Sequence, residues 1–278
     1  MKKDKDTIRQ EDLERIKHLR LIDDIFMTIC FDNYIEGAEL LLKVILDRDD
    51  LKVSEVRTQK ELKNIGGRSV WLDIYATDRQ GNMYNIEVQR SDKGANPKRA
   101  RYHSAMLDSN MLDPGEDFTG LRENYVIFIT ENDVLGMTEP IYHIDRVIRE
   151  GNVQFNDGEH IIYVNGSMRT NDSALGRLMS DFYSADADKM NYKELSDKVR
   201  HYKESEEGVK TMCVTWEEIR NEGKNEGLIE GKLEGKIEAS IEHATAMLKS
   251  GKLSMEEIAE FTGLSIEKVR ELAGNKSA

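Results

Sequence analysis

The chain has 278 residues, of which 40 are Lys or Arg and 53 are Asp or Glu, so its formal net charge at pH 7 is −13. This length indicates one large domain, or one domain with a small appendage. Hydrophobic residues make up 38% and charged residues 33% of the chain, which predicts a sizeable core beneath a highly charged surface. The acidic total excludes a protein that coats nucleic acid by bulk charge, although a local basic groove is compatible with it.

The composition also bounds the compartment. Only two cysteines occur, Cys30 and Cys213, which argues against a disulfide framework and favours a reducing cytoplasm. The apolar runs are far shorter than the roughly 18 residues that a membrane span requires. The lysines between Met1 and Asp12 precede no apolar stretch, so no secretory signal is expected. We therefore expect a cytoplasmic protein without a membrane partner.

The predicted elements follow an α/β order. Helical apolar spacing runs from about Leu19 to Leu46. Four runs rich in β-branched and aromatic residues are predicted strands: Val53–Val56, Ser69–Ala76, Met83–Gln89 and Tyr125–Thr130. The segment from Pro97 to Met111 is predicted to be a helix, because it has helical periodicity and opens with the proline that a first turn favours. This order predicts a mixed sheet, and the chain is helical again from Ser173 to about Tyr202.

After Trp216 the composition changes to a repeat of Glu-Gly pairs. The pairs recur every four residues from Glu222-Gly223 to Glu234-Gly235, beside an apolar row formed by Ile229, Leu233, Ile237 and Ile241. Four interior glycines cost a helix on the order of 4 kcal/mol relative to alanine, so such a helix needs a partner surface, for which another copy of itself is one candidate. A helical connector or self-association helix is predicted here, with disorder as the alternative.

The last segment, Ser254–Ala273, is predicted to form two short amphipathic helices. Gly263 is placed to end the first helix and Ser265 to cap the second. The pair is similar to a helix-turn-helix, but Lys268 and Arg270 of its second helix are balanced by two glutamates. A recognition helix normally carries net positive charge, so a packing or assembly module is favoured over DNA reading.

The hairpin predicted over Ser69–Gln89 is the most informative feature, because it brings two carboxylates together. With a turn centred near Gln80, Asp73 lies opposite Glu87, and directly opposed residues share a face with Cβ atoms about 4.5–5.5 Å apart. Opposed like charges are destabilising unless something compensates, and a divalent cation does this well. A register slip of one residue would separate the pair. An ordinary solvated hairpin face is the alternative.

The spacing Asp73-x13-Glu87-x-Gln89 resembles the PD-(D/E)XK nuclease superfamily, and more narrowly its recombination-promoting nucleases, a family that carries the name transposase. The resemblance covers roughly Leu21 to Leu272. The matching stretches are Asp23–Phe31, Val70–Asp78, Tyr84–Arg90, Lys98–Asp108, Tyr125–Asp133, Phe155–Gly166, Leu175–Phe182 and the Glu-Gly repeat. It implies a restriction-endonuclease-like α/β core with a mixed central sheet flanked by helices. The expected segments are a flexible N-terminus at 1–14, a nuclease-like domain at 15–215, the Glu-Gly helical connector at 216–241 and a helix-turn-helix-like tail at 242–278.

The resemblance also implies a metal-dependent endonuclease that hydrolyses phosphodiester bonds of DNA. Asp73 and Glu87 would be ligands of Mg²⁺, with Mn²⁺ or Ca²⁺ as alternatives, and the carbonyl of Val88 would be a third ligand. An acid from the first helix often completes such sites. Asp23 matches that position best, and Asp24 and Asp32 are the alternatives.

Gln89 stands where the superfamily motif usually has lysine. Its amide can orient a water but carries no charge, so it cannot neutralise the transition state. The basic residues Lys98, Arg99 and Arg101 are candidates for that task, and with Tyr102 they are the predicted DNA contacts. A solvated helix face is the alternative for this group. His103 is predicted to be structural and not a general base.

Two other classes of function remain open. A degenerate relative would keep the fold and bind DNA or metal without cutting, which Gln89 and the negative net charge favour. Asp73 and Glu87 argue against it, because opposed carboxylates without a metal are a cost with no evident benefit. The other class is an interaction or regulatory module that acts through its tail, which is also where two copies could associate as a homodimer.

Overall fold

The computed structural model describes residues 10–64, 66–90, 92–170 and 172–274. The chain divides into two compact units, with the boundary between Met212 and Cys213, close to the predicted end of the nuclease-like domain at 215. Residues 1–9 of the predicted flexible N-terminus and residues 275–278 of the tail lie outside the described residues. None of the helices within the described ranges is long and apolar enough to cross a membrane.

The helices of the first unit come before, within and after the sheet region of its chain. Before the sheet come α1 (Gln10–His18), α2 (Asp24–Phe31) and α3 (Ile35–Leu46), so the helical spacing predicted for Leu19–Leu46 corresponds to two helices. After α4 (Pro97–Ser109), which lies within the sheet region, come α5 (Ala174–Tyr183) and α6 (Lys193–Glu204). These last two confirm the helical prediction for Ser173–Tyr202.

A six-stranded mixed sheet forms the centre of this unit, in the order β1-β2-β3-β4-β8-β5. Its strands and a separate two-stranded ribbon are β1 (Val53–Leu62), β2 (Val70–Asp78), β3 (Met83–Gln89), β4 (Asn124–Thr130), β5 (Ile141–Ile144), the ribbon strands β6 (Val147–Ile148) and β7 (Val153–Gln154), and β8 (Glu159–Asn165). The β1/β2, β2/β3 and β5/β8 pairs are antiparallel, whereas β4 is parallel to both β3 and β8. The predicted α/β fold with a mixed sheet flanked by helices is confirmed.

The centre of the sheet is buried on both faces. All seven residues of β4 are buried, as expected of a strand that pairs in parallel on both sides. Val126 and Phe128 pack with the α4 residues Ala100 and Leu107 in one apolar cluster. The alternate residues of β4 are equally inaccessible, so the opposite face of the sheet is covered as well. On the β1 side, α2 packs on β1 and β2, and α3 packs on β1.

Helix α4 starts at a well-defined cap, which sets its phase on the sheet. The Asn96 side chain accepts a hydrogen bond from the Lys98 N–H, and Pro97 occupies the first turn. Residues four apart share a helix face, so Arg99 and His103 point in the same direction. That direction is towards β3, where both contact Glu87.

The second unit consists of helices alone in the described residues. Helix α7 (Glu206–Ser250) enters it from the first unit, and α8 (Met255–Thr262) and α9 (Ile266–Gly274) follow. The end of α7 packs on both short helices through Ala244, Ile258 and Val269. Gly263 ends α8 in the left-handed conformation, as predicted, and Ser265 Oγ caps α9 by accepting from the Lys268 N–H. The predicted helix over 216–241 is confirmed.

The buried aromatic Phe182 of α5 offers a test of the packing in the first unit. The change Phe182→Ala is expected to lower the free energy of unfolding by about 3–5 kcal/mol, because the ring is fully buried and stacks on Phe31. The matched change Phe118→Ala removes an 82% exposed ring, so its effect should stay within about 0.5 kcal/mol. Urea unfolding followed by circular dichroism measures both, and equal effects would contradict the burial of Phe182 in the core.

Candidate active site

The turn between β2 and β3 fixes the register of the hairpin. Asp78 is buried, and its Oδ1 accepts hydrogen bonds from the backbone N–H groups of Gln80 at 2.8 Å and Asn82 at 3.0 Å. Its Oδ2 accepts from the Tyr84 hydroxyl at 2.9 Å. Gly81 adopts a φ of 86°, which glycine tolerates without strain. These hydrogen bonds hold the turn in one conformation, and the turn in turn sets the register of the two strands.

That alignment is the predicted one. Ile74 pairs with Ile86 and Thr77 with Met83, so the predicted register is confirmed over the whole ladder. The ladder ends at the Ile74/Ile86 pair, and the next residues along each strand are Asp73 and Glu87. Beyond this point the Val88 N–H donates to Asp73 Oδ2, at 3.0 Å, and not to a backbone carbonyl of β2. The strands therefore part where the two carboxylates lie.

Glu87 is a fully buried carboxylate whose charge is balanced from α4. Arg99 Nη2 donates to Glu87 Oε2 at 2.6 Å. His103 Nδ1 lies 3.4 Å from the other oxygen, Oε1, which has no hydrogen-bond partner. Ionised groups are rarely buried without a counter-charge because desolvation is costly. The arginine thus makes the burial of Glu87 tolerable, and Oε1 is left with unused acceptor capacity.

The hydrogen bonds of His103 assign its tautomer. Arg99 Nε donates to His103 Nε2 at 3.3 Å, so Nε2 is an acceptor and the neutral ring carries its proton on Nδ1. Nδ1 lies 3.0 Å from Asn85 Nδ2, while Asn85 Oδ1 is buried without a partner. Exchanging the amide atoms of Asn85 would place its oxygen on the Nδ1–H and satisfy both groups. His103 is 3% exposed, and its Nδ1 lies 3.4 Å from Glu87 Oε1. The structural role predicted for it stays a prediction.

Asp73 shares its surroundings with other carboxylates. Burial is the main cause that raises its pKa to about 7, and the negative charge of Glu87 is the next. Asp24 adds a smaller effect in the same direction. The amide Nε2 of Gln89 lies 3.5 Å from both Asp73 Oδ2 and Glu87 Oε2, at the limit of hydrogen bonding. A neutral amide therefore lies between the two acids, and a cation in the same place would interact with both of them more strongly than the amide does.

A small pocket opens beside these groups. It has a volume of about 180 Å³ and is lined by Ile22, Asp24, Asp73, Val88, Gln89 and Arg90. The predicted site residues Asp73, Val88 and Gln89 therefore line the same cavity as Asp24, an acid at the start of α2. Arg90 was not among the predicted site residues, and its position directly after Gln89 is the only sequence signal that points to it.

The three candidate helix acids are placed differently. Asp24 lines the pocket, whereas the neighbouring Asp23 is bound in ion pairs with Arg90 at 3.0 Å and with Arg20 at 3.3 Å. Asp32 caps the far end of α2 and accepts hydrogen bonds from Thr58. The geometry therefore favours Asp24 over Asp23 as the acid that accompanies Asp73.

The predicted DNA contacts on α4 fall into two groups. Arg99 lies in the site, where its guanidinium also donates to the carbonyl of Gly94 at 3.1 Å. Tyr102 is half-buried and its hydroxyl donates to the Arg68 carbonyl at 2.6 Å, which gives it an anchoring role. Lys98 and Arg101 are exposed, and within the described residues neither forms an ion pair. Only these two are available to an outside ligand without rearrangement.

The donor set fits a hard divalent cation, although the described residues contain no preformed cluster of three His, Cys, Asp or Glu side chains for a metal ion. Carboxylate oxygens are the donors that Mg²⁺, Mn²⁺ and Ca²⁺ prefer. Glu87 Oε1 is buried without a hydrogen-bond partner, and the pKa of Asp73 is raised by burial and by its acidic neighbour. A bound cation would use the free oxygen of Glu87 and would favour the ionised form of Asp73.

The raised pKa of Asp73 predicts a pH dependence of stability in metal-free protein. Because the carboxyl titrates near 7 in the folded state and near 3.8 when unfolded, the folded state holds the extra proton between these values. Stability should therefore fall as the pH rises from about 4 to about 7. Asp73→Asn should remove this decline and be more stable than the wild type at pH 8 by about 2–4 kcal/mol. Urea unfolding in EDTA tests this, with the exposed Asp49→Asn as control; parallel pH profiles for all three proteins would contradict it.

A family model matches the part of the chain that contains most of these residues. The chain matches the model of the PD-(D/E)XK nuclease family transposases over residues 40–234, which is more than half of its length. The match contains Asp73, Glu87 and α4, whereas α2 with Asp24 precedes it. Searches of curated proteins and of solved structures gave no significant match. The chain therefore belongs to the PD-(D/E)XK nuclease family of transposases.

Proposed function

We propose that this protein is a metal-dependent endonuclease that hydrolyses phosphodiester bonds in DNA, with a role in recombination or mobile-element biology. The observation that carries the proposal is the pair of acids at the end of the β2/β3 ladder. Asp73 and Glu87 lie where the strands part, beside a pocket, and their mutual repulsion is not fully compensated by the chain. Family membership supports nuclease chemistry.

In this proposal Asp73 and Glu87 bind Mg²⁺, and Mn²⁺ or Ca²⁺ are alternatives. The Val88 carbonyl is the third proposed ligand. Its N–H points to Asp73, and the N–H and C=O of one strand residue point to the same side. The carbonyl of the next residue, Gln89, accepts from Glu131 on the opposite side, as this alternation requires. Asp24 takes the role of the helix acid in place of Asp23. When bound, such an ion acidifies a water and stabilises charge on the phosphate.

The chain itself supplies the remaining functions. Gln89 is at the pocket wall, where its amide can orient a water for attack on phosphorus. Arg99 is the fixed positive charge closest to the acids, and it takes over the electrostatic role that lysine has in the superfamily motif. The exposed Lys98 and Arg101 hold DNA phosphates along α4. A local basic strip of this kind reconciles DNA binding with an acidic protein.

We also propose a compartment and an assembly for the protein. The compartment is the cytoplasm, as the low cysteine content favours. The helical tail serves self-association of two copies, because its Glu-Gly segment exposes an apolar row.

A second candidate function is metal or DNA binding without cleavage. Gln89 lacks the charge of the usual lysine, and Arg99 already neutralises Glu87 within the chain. A catalytically inactive relative that acts as a regulatory protein would show both features. Plasmid cleavage separates the two functions.

Cleavage of supercoiled plasmid in Mg²⁺, Mn²⁺, Ca²⁺ or EDTA tests the nuclease proposal. Wild type is expected to nick or linearise plasmid only with a divalent metal, whereas Asp73→Asn and Glu87→Gln should lower the rate by at least about 100-fold. Asp113→Asn, which changes an exposed acid outside the pocket, is the matched control and should cut normally. Metal-dependent DNA binding without cutting would support the second function, and equal cutting by all variants would refute the site.

The choice between neighbouring acids of α2 has its own test. Asp24→Asn is expected to weaken Ca²⁺ binding by about 10-fold or more, because it removes a carboxylate from the pocket. Asp23→Asn should leave the affinity within about 3-fold and lower stability instead, since it breaks ion pairs with Arg20 and Arg90. Isothermal titration calorimetry with Ca²⁺, which avoids turnover, measures the affinity of both variants, and urea unfolding measures their stability. The reverse order of effects would assign the helix acid to Asp23.

A further inference from the structure

The Glu-Gly part of α7, residues 222–238, presents its side chains in four rows, and we call it the tail segment. In an α-helix residues four apart lie nearly above one another, and successive residues are about 100° apart. The apolar row contains Ile229, Leu233 and Ile237, which are 68%, 58% and 46% exposed. The glycine row lies on the opposite side of the helix, two residues away along the chain, and contains Gly223, Gly227, Gly231 and Gly235.

Charged rows of opposite sign flank the apolar row. One residue after each apolar position stands a glutamate, and one residue before stands a lysine or leucine. The glutamate row is Glu222, Glu226, Glu230, Glu234 and Glu238, and the lysine row is Lys224, Leu228, Lys232 and Lys236. Seen from a partner, the apolar row therefore has a negative flank on one side and a positive flank on the other.

The tail segment is poorly stabilised on its own. Like charges four apart on a helix repel, and within the described part of the chain no side chain of the two charged rows forms an ion pair. Each glycine of the opposite row weakens the helix, and a Cβ added at any of them would meet no neighbouring atom within 4 Å. The apolar row is left to water. One partner that covers the apolar row and brings opposite charges to both flanks would relieve the repulsion and the exposure together.

We propose that this partner is the tail segment of a second copy, and that the two segments run parallel. A two-fold axis along parallel helices places the glutamate flank of each against the lysine flank of the other, on both sides of the apolar seam. An antiparallel pair would set glutamate against glutamate and lysine against lysine. Because the row repeats every four residues, more than the 3.6 of one turn, two copies that follow it wrap around each other in a right-handed sense.

This inference deepens the proposed self-association and is independent of nuclease activity. It assigns a function to each row: the apolar row forms the seam, the charged rows set the orientation, and the glycine row faces outward. The parallel arrangement means that both chains enter the paired segment from the same end.

The mass of the full-length protein tests the seam. Sedimentation equilibrium should give twice the 31.9 kDa of one chain. Leu233→Gln should raise the dissociation constant at least about tenfold, whereas Gly231→Gln, which adds the same side chain to the opposite row, should leave it unchanged or lower it. Circular dichroism should show that both variants keep their helices. A monomeric wild type, or a dimer broken only by Gly231→Gln, overturns the proposal.

Disulfide trapping tests the orientation. In a Cys213→Ser background, Ile229→Cys alone should form an oxidised dimer, because parallel copies place residue 229 beside its equivalent. An antiparallel pair centred on Leu233 would give no such product, but would crosslink Ile229→Cys with Ile237→Cys in a mixture. Gly227→Cys on the outward row is the control and should stay uncrosslinked. Neither experiment uses DNA or metal, so its failure leaves the nuclease proposal standing, and loss of cleavage leaves the dimer standing.

Discussion

The contact between Glu87 and Arg99 is the interaction on which the first unit's site depends. A carboxylate with no solvent exposure is tolerable in a sheet only with a counter-charge at hydrogen-bonding distance. Arg99 supplies it from α4, whose start is fixed by Asn96 and Pro97. The same arginine orients His103 and contacts Gln89, so the position of one helix sets the electrostatics of the whole group. Asp73 forms no ion pair with Arg99 among the described residues; burial raises its pKa most, and the negative charge of Glu87 raises it further.

Much of this arrangement follows from the local sequence. Strand alternation and a turn with glycine in place fix the hairpin register, so the approach of Asp73 to Glu87 is predictable from residues 69–89 alone. The caps at Gly263 and Ser265 are equally local, because they depend on backbone conformation and on one side chain each. The long helix of the Glu-Gly repeat follows from periodicity.

Other features depend on tertiary structure and could not be predicted. Asp23 and Asp24 are adjacent, and the choice between them depends on the phase at which α2 begins; Asp23 has extended dihedral angles there and Asp24 is already helical. The pairing of Arg99 with Glu87 depends on how α4 lies across the sheet, and nothing in α4 alone distinguishes Arg99 from Arg101. Strand β5 has four residues, two of them exposed, which is too short for a periodic signal.

The site also has consequences for the order of folding. Asp73, Glu87, Gln89, Arg99 and His103 all come from one continuous stretch, and the Arg99–Glu87 contact spans only 12 residues. Contacts of such low sequence separation form early, whereas β8 and α5 lie far downstream. During synthesis the hairpin and α4 leave the ribosome before the strand that completes the sheet centre. The residues that surround Asp73 and Glu87 are therefore all synthesised before the strand at the sheet centre, and a divalent cation that binds the proposed site would also favour the folded state by mass action.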